Sequence, residues 1–236
     1  MTGVAAPPPA SLRGRLVPHV LVGMLTVLVL GGIALSLATA PPDATQQLRI
    51  AAGATEQSSG FVLTDTNSIA PPGAAPRSMV VRVVYRSPDR VKESGTDSTG
   101  QALSVIVIGQ RHFERRAGDP KWTELAPTPQ LSTEAVQTLL FPLQGAQHAV
   151  DAVRTSVGSG ATTYRFLPSD SAQLIRNILG ATPSQLSSLR FTAVVRGDYL
   201  ADERITAVVR GGEQLEVDLA FSAVGSAPGV EVPPTS

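Results

Sequence analysis

The 236-residue chain contains no cysteine. That excludes structural disulfides, thiol catalysis, cysteine-ligated zinc and a lipid-modified N-terminal cysteine. Lysine is nearly absent. Lys92 and Lys121 are the only two, and every other basic residue is arginine in a background rich in Ala, Val and Pro. Such a bias resembles that of high-GC bacterial proteomes. Aromatic residues make up 4 % of the chain, with a single tryptophan, and the formal net charge is zero. A chain so poor in stacking side chains and in excess positive charge has no footprint for nucleic acid.

Catalytic and metal-binding patterns are also missing. His19, His112 and His148 have no ligand spacing between them. Gly158-Ser159-Gly160 lacks the lysine of a phosphate loop and reads as a hairpin turn. Ser58 and Ser59 have no nucleophile-elbow context. Arg196-Gly197-Asp198 ends one strand and starts a turn, where Gly and Asp belong on structural grounds. The carboxylate pairs Asp202-Glu203 and Glu216/Asp218 read as solvated polar faces of strands. The expectation is a non-enzyme with no catalytic residue, no metal and no cofactor.

What is present begins with Val20–Ala40, a run with no charged residue. As a helix it spans roughly 31 Å, close to the hydrocarbon core of a bilayer. Arg13 and Arg15 precede it and Asp43 is the first charge after it, so the positive-inside tendency places the N-terminus in the cytoplasm. Ala38-Thr39-Ala40 resembles a signal cleavage site, but Pro41 follows at once and the run is longer than a usual signal core. Residues 16–40 are thus expected to be a transmembrane anchor or an uncleaved signal; secretion after cleavage is the alternative. Residues 1–15, with Pro7-Pro8-Pro9, read as a cytoplasmic tail.

Beyond Pro41-Pro42, Asp43 and Gln46 form a capping-box pattern for a short helix over about 44–55, carrying Leu48, Ile50, Ala51 and Ala52. From Gly60 the hydrophobic period changes to two. Met79, Val81, Val83 and Tyr85 alternate with Arg82 and Arg86, a half-buried strand. Ala102–Gly109 is apolar on both faces, which predicts a central strand covered on both sides. Ser132 is a candidate cap for a helix with Val136, Leu139 and Leu140, stopped by Pro142. Strands follow over about 147–157 and 161–167. Ser169 or Asp170 caps an amphipathic helix with Leu174, Ile175, Ile178 and Leu179, ended by Gly180, and Thr182-Pro183 opens a third helix through Leu189.

The clearest alternation comes last. Phe191, Ala193 and Val195, then Ile205, Ala207 and Val209, then Leu215, Val217, Leu219 and Phe221 each alternate with polar residues. Gly211-Gly212 marks a hairpin between the second and third runs. Pro and Gly dominate from about residue 226, which reads as a flexible tail to 236. The sum is an α+β domain over about 44–225, with eight to ten antiparallel strands in meander order. A sheet of that size curls, and helices must cover its apolar face. Such a sheet can enclose an apolar cavity able to hold acyl chains; equally, the same residues can pack as plain core. The candidate lining residues are Val81, Val83, Val105, Val107, Leu139, Leu140, Ile175, Ile178 and Leu179.

The run Tyr85-Arg86-Ser87-Pro88-Asp89-Arg90-Val91, followed by Val105-Ile106-Val107-Ile108-Gly109 and by Trp122 in GDPKWTEL, resembles the actinobacterial lipoproteins of the LppX/LprG type and the related LolA/LolB carriers. The C-terminal FTAVVRGDYLADERITAVVRGGEQLEVDLAFSAVG, closing in Val232-Pro233-Pro234, is similar to their last strands. The resemblance covers about residues 44–234. It implies an incomplete antiparallel β-barrel wrapped around helices, whose apolar cavity binds lipid or the acyl chains of lipoproteins. The lipobox cysteine of the lipoprotein members is absent, since Leu35-Ser36-Leu37-Ala38-Thr39-Ala40 runs into Pro41. The expected protein is therefore a single-pass, extracytoplasmic lipid-binding protein of the bacterial cell membrane, tethered through residues 16–40. Its partners would be a lipid or acylated ligand and an envelope protein. The alternative is an envelope interaction or sensor module that reuses the fold with a filled core.

Overall fold

A computed structural model describes residues 42–96, 100–126, 140, 143–179 and 181–235, with the side chains of 177 and 178 outside that description. Two units separate along the chain, Met1–Pro42 and Asp43–Ser236. The expected anchor 16–40, the tail 1–15 and most of the helix expected after Ser132, including Leu139, lie outside the described residues.

Helix α1 spans Ala44–Glu56 and begins as its sequence predicts. Asp43 Oδ1 accepts from the Gln46 amide at 2.7 Å and Gln46 Oε1 accepts from the Asp43 amide at 3.3 Å. This reciprocal pair satisfies two amides that the first turn leaves without helical partners. Leu48, Ala51, Ala52 and Thr55 form its buried face, whereas Ile50 faces solvent. Six strands follow: β1 (Gly60–Ala70), β2 (Arg77–Arg86), β3 (Arg90–Thr96), β4 (Ala102–Ile108), β5 (Arg111–Arg116) and β6 (Thr123–Leu125). Residues 143–147 are helical, and then come β7 (Ala149–Gly158), β8 (Ala161–Pro168) and helix α2 (Ser171–Leu179). Strands β9 (Leu186–Arg196), β10 (Tyr199–Val209) and β11 (Gln214–Ser222) complete the sheet.

All eleven strands join one antiparallel sheet in the order β6-β5-β4-β3-β2-β1-β11-β10-β9-β8-β7. Two meanders, one running outward from β1 and the other from β11, meet where β1 pairs with β11. The sheet is not closed; β6 and β7 are its edges. Strand β4 lies third from the β6 edge rather than centrally, yet it is covered on both faces as its composition requires. Val107 enters the main core, while Ile106 enters a second cluster on the opposite face. The turns fall where glycine permits them: Gly211 and Gly212 take φ of 124° and 91° between β10 and β11, a backbone region closed to most side chains.

Two expectations fail in this region. The third helix is one 3₁₀ turn, Pro183–Gln185, and β9 starts at Leu186. The Thr182 amide donates to Gln185 Oε1 at 2.7 Å, which closes that single turn. Leu186 and Leu189 then pair with Val209 and Ala207 of β10, so ladder bonding replaces a further helical turn. The second failure is the loose C-terminal tail. Ala227, Val230 and Pro233 are buried at every third position, the period of an extended polyproline-like strap. Ala227 and Val230 cover Val62, Val84, Ile106 and Phe113 on the sheet face opposite the helices. Arg86 and Arg90 donate to the Ala227 and Val230 carbonyls, each at 3.2 Å, and fix the strap.

Candidate functional site

The inner face of the sheet carries the main core. Phe61 and Leu63 of β1, Val83 and Tyr85 of β2, Val91 of β3 and Val107 of β4 join Tyr164 and Phe166 of β8, Phe191 and Ala193 of β9, Ile205 of β10 and Leu219 of β11 in one apolar cluster. Leu48, Ala51 and Ala52 of α1 and Leu143 and Ala146 of the helical segment lie in the same cluster. Helix α1 packs on β1 and on β7–β10. Polar bonds hold it there: Arg49 donates to the Ala149 carbonyl at 2.9 and 2.6 Å, and the Tyr164 hydroxyl donates to Gln47 Oε1 at 2.8 Å. Thr55 Oγ1 accepts from the Leu200 amide at 2.9 Å inside the core.

Six of the nine candidate lining residues lie in or against this cluster. Val83 and Val107 are buried in the cluster, and Val81, Val105, Leu140 and Leu179 pack against it while only partly buried. Ile175 is buried on α2. Leu139 and the Ile178 side chain lie outside the described residues. Met79, at the far end of the Val81–Tyr85 stripe, is exposed.

The two halves of the inner face differ. Over β8–β11, Phe166, Phe191, Ala193, Ile205 and Leu219 are sealed from solvent. Over β1–β5 the apolar residues are interleaved with polar ones. Asp65 pairs with Val81, and Glu93 lies between Val83 and Val105. His112 and Glu114 stand opposite Val107 and Val105 on the same face. Paired residues of an antiparallel ladder share a face, so these four polar side chains look toward the helices. Partial burial raises the Asp65 carboxyl above the usual carboxylate range; a hydrogen bond from Asn67 at 2.9 Å lowers it again, and the nearby Glu93 charge raises it further. Burial likewise raises Glu93. Both ring nitrogens of His112 lack a hydrogen-bond partner among the described residues. Among those residues no group of three or more His, Asp or Glu is placed to hold a metal ion.

The expectation that Asp202-Glu203 is a solvated pair is wrong for Glu203. That side chain is 1 % exposed and neither carboxyl oxygen has a partner among the described residues. Its cross-strand neighbours are Ala193 and Leu219. From the helical side Gly145 closes over it: a Cβ there would stand 2.9 Å from Glu203 Oε1 and 3.7 Å from Leu174 Cδ1. Glycine is what allows this approach. Burial without a counter-charge pushes the Glu203 carboxyl up to about 8, so it is neutral at pH 7. Its place two residues before Ile205, on the apolar parity of β10, is the signal that could have found it. Glu216 and Asp218 do stand on the solvent face, where Arg204 bridges them at 3.4 and 2.6 Å.

A separate cleft of about 430 Å³ opens at the β7–β9 end of the sheet, lined by Asp151, Val153, Arg165, Leu167 and Arg190 beside the Phe166–Phe191 pair. It adjoins a register irregularity in β7 between Val150 and Val153, where Asp151 takes φ of 50°. None of the described candidate lining residues borders it.

No family model matches the chain, and no curated protein is similar to it. Solved structures share its fold, among them two mycobacterial proteins. The lipoprotein LppX of Mycobacterium tuberculosis is 18 % identical, with a TM-score of 0.51 over 81 % of this chain and 100 % of that one. LprF of Mycobacterium bovis is 15 % identical, with a TM-score of 0.50 over 82 % of this chain and 98 % of that one. The domain thus has the fold of LppX that its strand motifs resemble.

Proposed function

We propose that residues 43–236 form a lipid-binding, carrier-like domain of the bacterial cell envelope, held at the outer side of the cell membrane by residues 16–40. Acyl chains would lie between the β1–β5 half of the inner face and the helices, against Val81, Val83, Val105 and Val107. The observation that carries this reading is the contrast within one apolar face. In its β8–β11 half Phe166, Phe191, Ala193, Ile205 and Leu219 are buried and only the end near Leu189 is partly exposed, whereas Val81 and Val105 in the other half remain partly accessible although they point inward. Accessible apolar surface inside a fold is what a ligand chamber requires. The shared fold with the lipoprotein LppX supports the same reading. Leu139, Leu140, Ile175, Ile178 and Leu179 would supply the helical wall.

Native mass spectrometry of residues 43–236, purified from a bacterial host without detergent, tests this. The core clusters are drawn from residues beyond Pro42, which makes that unit the one to isolate. Bound lipid, or uptake of a fluorescent fatty acid at about one per protein, is expected. A ligand-free protein that takes up neither would leave the filled-core reading, an envelope interaction or sensor module, in its place. The tight closure of Gly145 over Glu203 is what favours that second reading for the other half of the face.

A further inference from the structure

The cleft at the β7–β9 end has the wrong chemistry for an acyl chain and the right chemistry for a charged headgroup. Arg165 and Leu167 alternate with the buried Tyr164, Phe166 and Pro168, so their side chains leave the sheet on the solvent side, and Arg190 does the same between Leu189 and Phe191. Neither the Arg165 nor the Arg190 side chain has an ion-pair or hydrogen-bond partner among the described residues. Asp151 is the one acidic residue of the lining. Around the guanidinium groups the surface is aliphatic: Val153 and Leu167 are 51 % and 50 % exposed, and Val157, further along β7, is 75 % exposed.

Paired cations set among exposed aliphatic side chains complement an anionic amphiphile. Guanidinium groups bind phosphate oxygens in a bidentate fork, and arginine stems and aliphatic residues together favour the headgroup–acyl boundary of a bilayer. The volume lies toward the lower end of the range for ligand pockets, roughly 300–1,000 Å³, enough for a headgroup but not for a two-chain lipid. A peptide adding to the β7 edge is disfavoured by the fold itself. The Ala149 carbonyl is taken by Arg49 and the Ala152 amide by Thr45, which closes that edge beside the cleft.

The geometry points to a second lipid site, distinct from the inner chamber: Arg165 and Arg190 hold the phosphate of an anionic phospholipid headgroup while Val153 and Leu167 rest against the first methylenes of its chains. The site stands whether or not the chamber is filled. In a membrane-tethered domain it would set the β7–β9 face against the bilayer, with the local excess of anionic lipid raising occupancy.

The test is a titration of residues 43–236 with dihexanoyl-phosphatidylglycerol below its micelle concentration, followed by amide chemical shifts. Saturable binding with shifts on β7–β9 is expected. R165Q/R190Q should weaken it at least tenfold and V153S/L167S severalfold, all four changes being on the surface. Dihexanoyl-phosphatidylcholine and inorganic phosphate should each bind at least tenfold more weakly. Phosphate binding as tight as the lipid would mean a free-anion site and overturn the proposal. So would unchanged lipid binding by R165Q/R190Q, or shifts confined to β2–β4. V81W, which fills the chamber, should leave this titration unchanged; its loss there would assign the lipid to the chamber and overturn the second site. A chamber that proves empty in native mass spectrometry leaves this experiment's reading intact.

Discussion

The two halves of the inner face are built from the same strand pattern and end in different states. Over β8–β11 the inward positions are apolar except for Glu203, and most are buried. Phe166 and Phe191 meet at a ring-centroid separation of 5.7 Å, and Leu143 and Leu174 on the helical side have essentially no exposure. Over β1–β5 the inward positions mix valines with Asp65, Glu93, His112 and Glu114, and burial is incomplete. Carboxyl groups on an inner face resist full closure, because dehydrating them costs more than a few additional valine contacts return. The first half acts as the stabilising core, and the second half leaves the inward-facing Val81 and Val105 partly exposed. Glu203 is the exception that sharpens the contrast: it is a carboxyl on the sealed side, tolerated because it keeps its proton.

Four changes would break or sharpen this contrast, and the largest concerns Glu203. An unfolded glutamate titrates near 4.5, and the folded group near about 8. Between those values the folded state holds a proton that the unfolded chain has released. Stability is therefore fully present below pH 4.5, falls as pH rises through this window, and levels off above about pH 8. The loss amounts to about 5 kcal/mol over the whole range. Urea melts of residues 43–236 at pH 5, 7 and 9 should show it, and Glu203→Gln should flatten the profile. A wild-type profile as flat as the variant's would mean that the carboxyl is hydrated in solution.

Next in size is truncation of the sealed half. Phe191→Ala should lower stability by about 4 kcal/mol, whereas Val105→Ala in the open half should cost about 1 kcal/mol, both read from urea midpoints. Equal costs would erase the distinction between the halves. A third change fills space instead of creating it. Val81→Trp should fold with little loss and abolish fatty-acid uptake, while Ala193→Trp, forced into the packed half, should destabilise by about 2 kcal/mol or more. Uptake retained by Val81→Trp would move the chamber elsewhere. The smallest effect belongs to the outer face, where Arg204→Ala should cost below about 1 kcal/mol, because the Arg204–Glu216–Asp218 network is exposed and screened by solvent. The test is a melt in low and in high salt; a loss as large as that of Phe191→Ala would make the network structural.

Much of the fold was legible because its periods are local. The alternation through Phe191–Val195, Ile205–Val209 and Leu215–Phe221, the Gly211-Gly212 turn and the Asp43/Gln46 capping box need only a few neighbouring residues to act, and all stand as read. The valine stripes of the candidate chamber were legible for the same reason. Glu203 was not, because a bulge between Leu200 and Asp202 resets the phase of β10. Counted from Leu200 the residue faces out, and counted from Ile205 it faces in. The segment after Pro183 was ambiguous in another way: Leu186 and Leu189 suit a helical turn as well as a strand, and the free edge of β10 settled the choice. The arginines of the cleft belong to no binding motif in the sequence and come together only through the β8–β9 pairing.

The sequence by itself determined the strands, their turns, the capped first helix and the inner-face valines, since backbone period and capping chemistry act over a few residues. It also determined what is absent, cysteine above all. Only the tertiary structure decided which inward positions are sealed, because burial depends on what the helices place opposite them. It also turned a Pro- and Gly-rich ending into a strap, since Ala227 and Val230 gain by covering apolar strand faces that lie more than a hundred residues away in the chain. Bringing Arg165 and Arg190 to one cleft is likewise a matter of strand order, which no local pattern encodes.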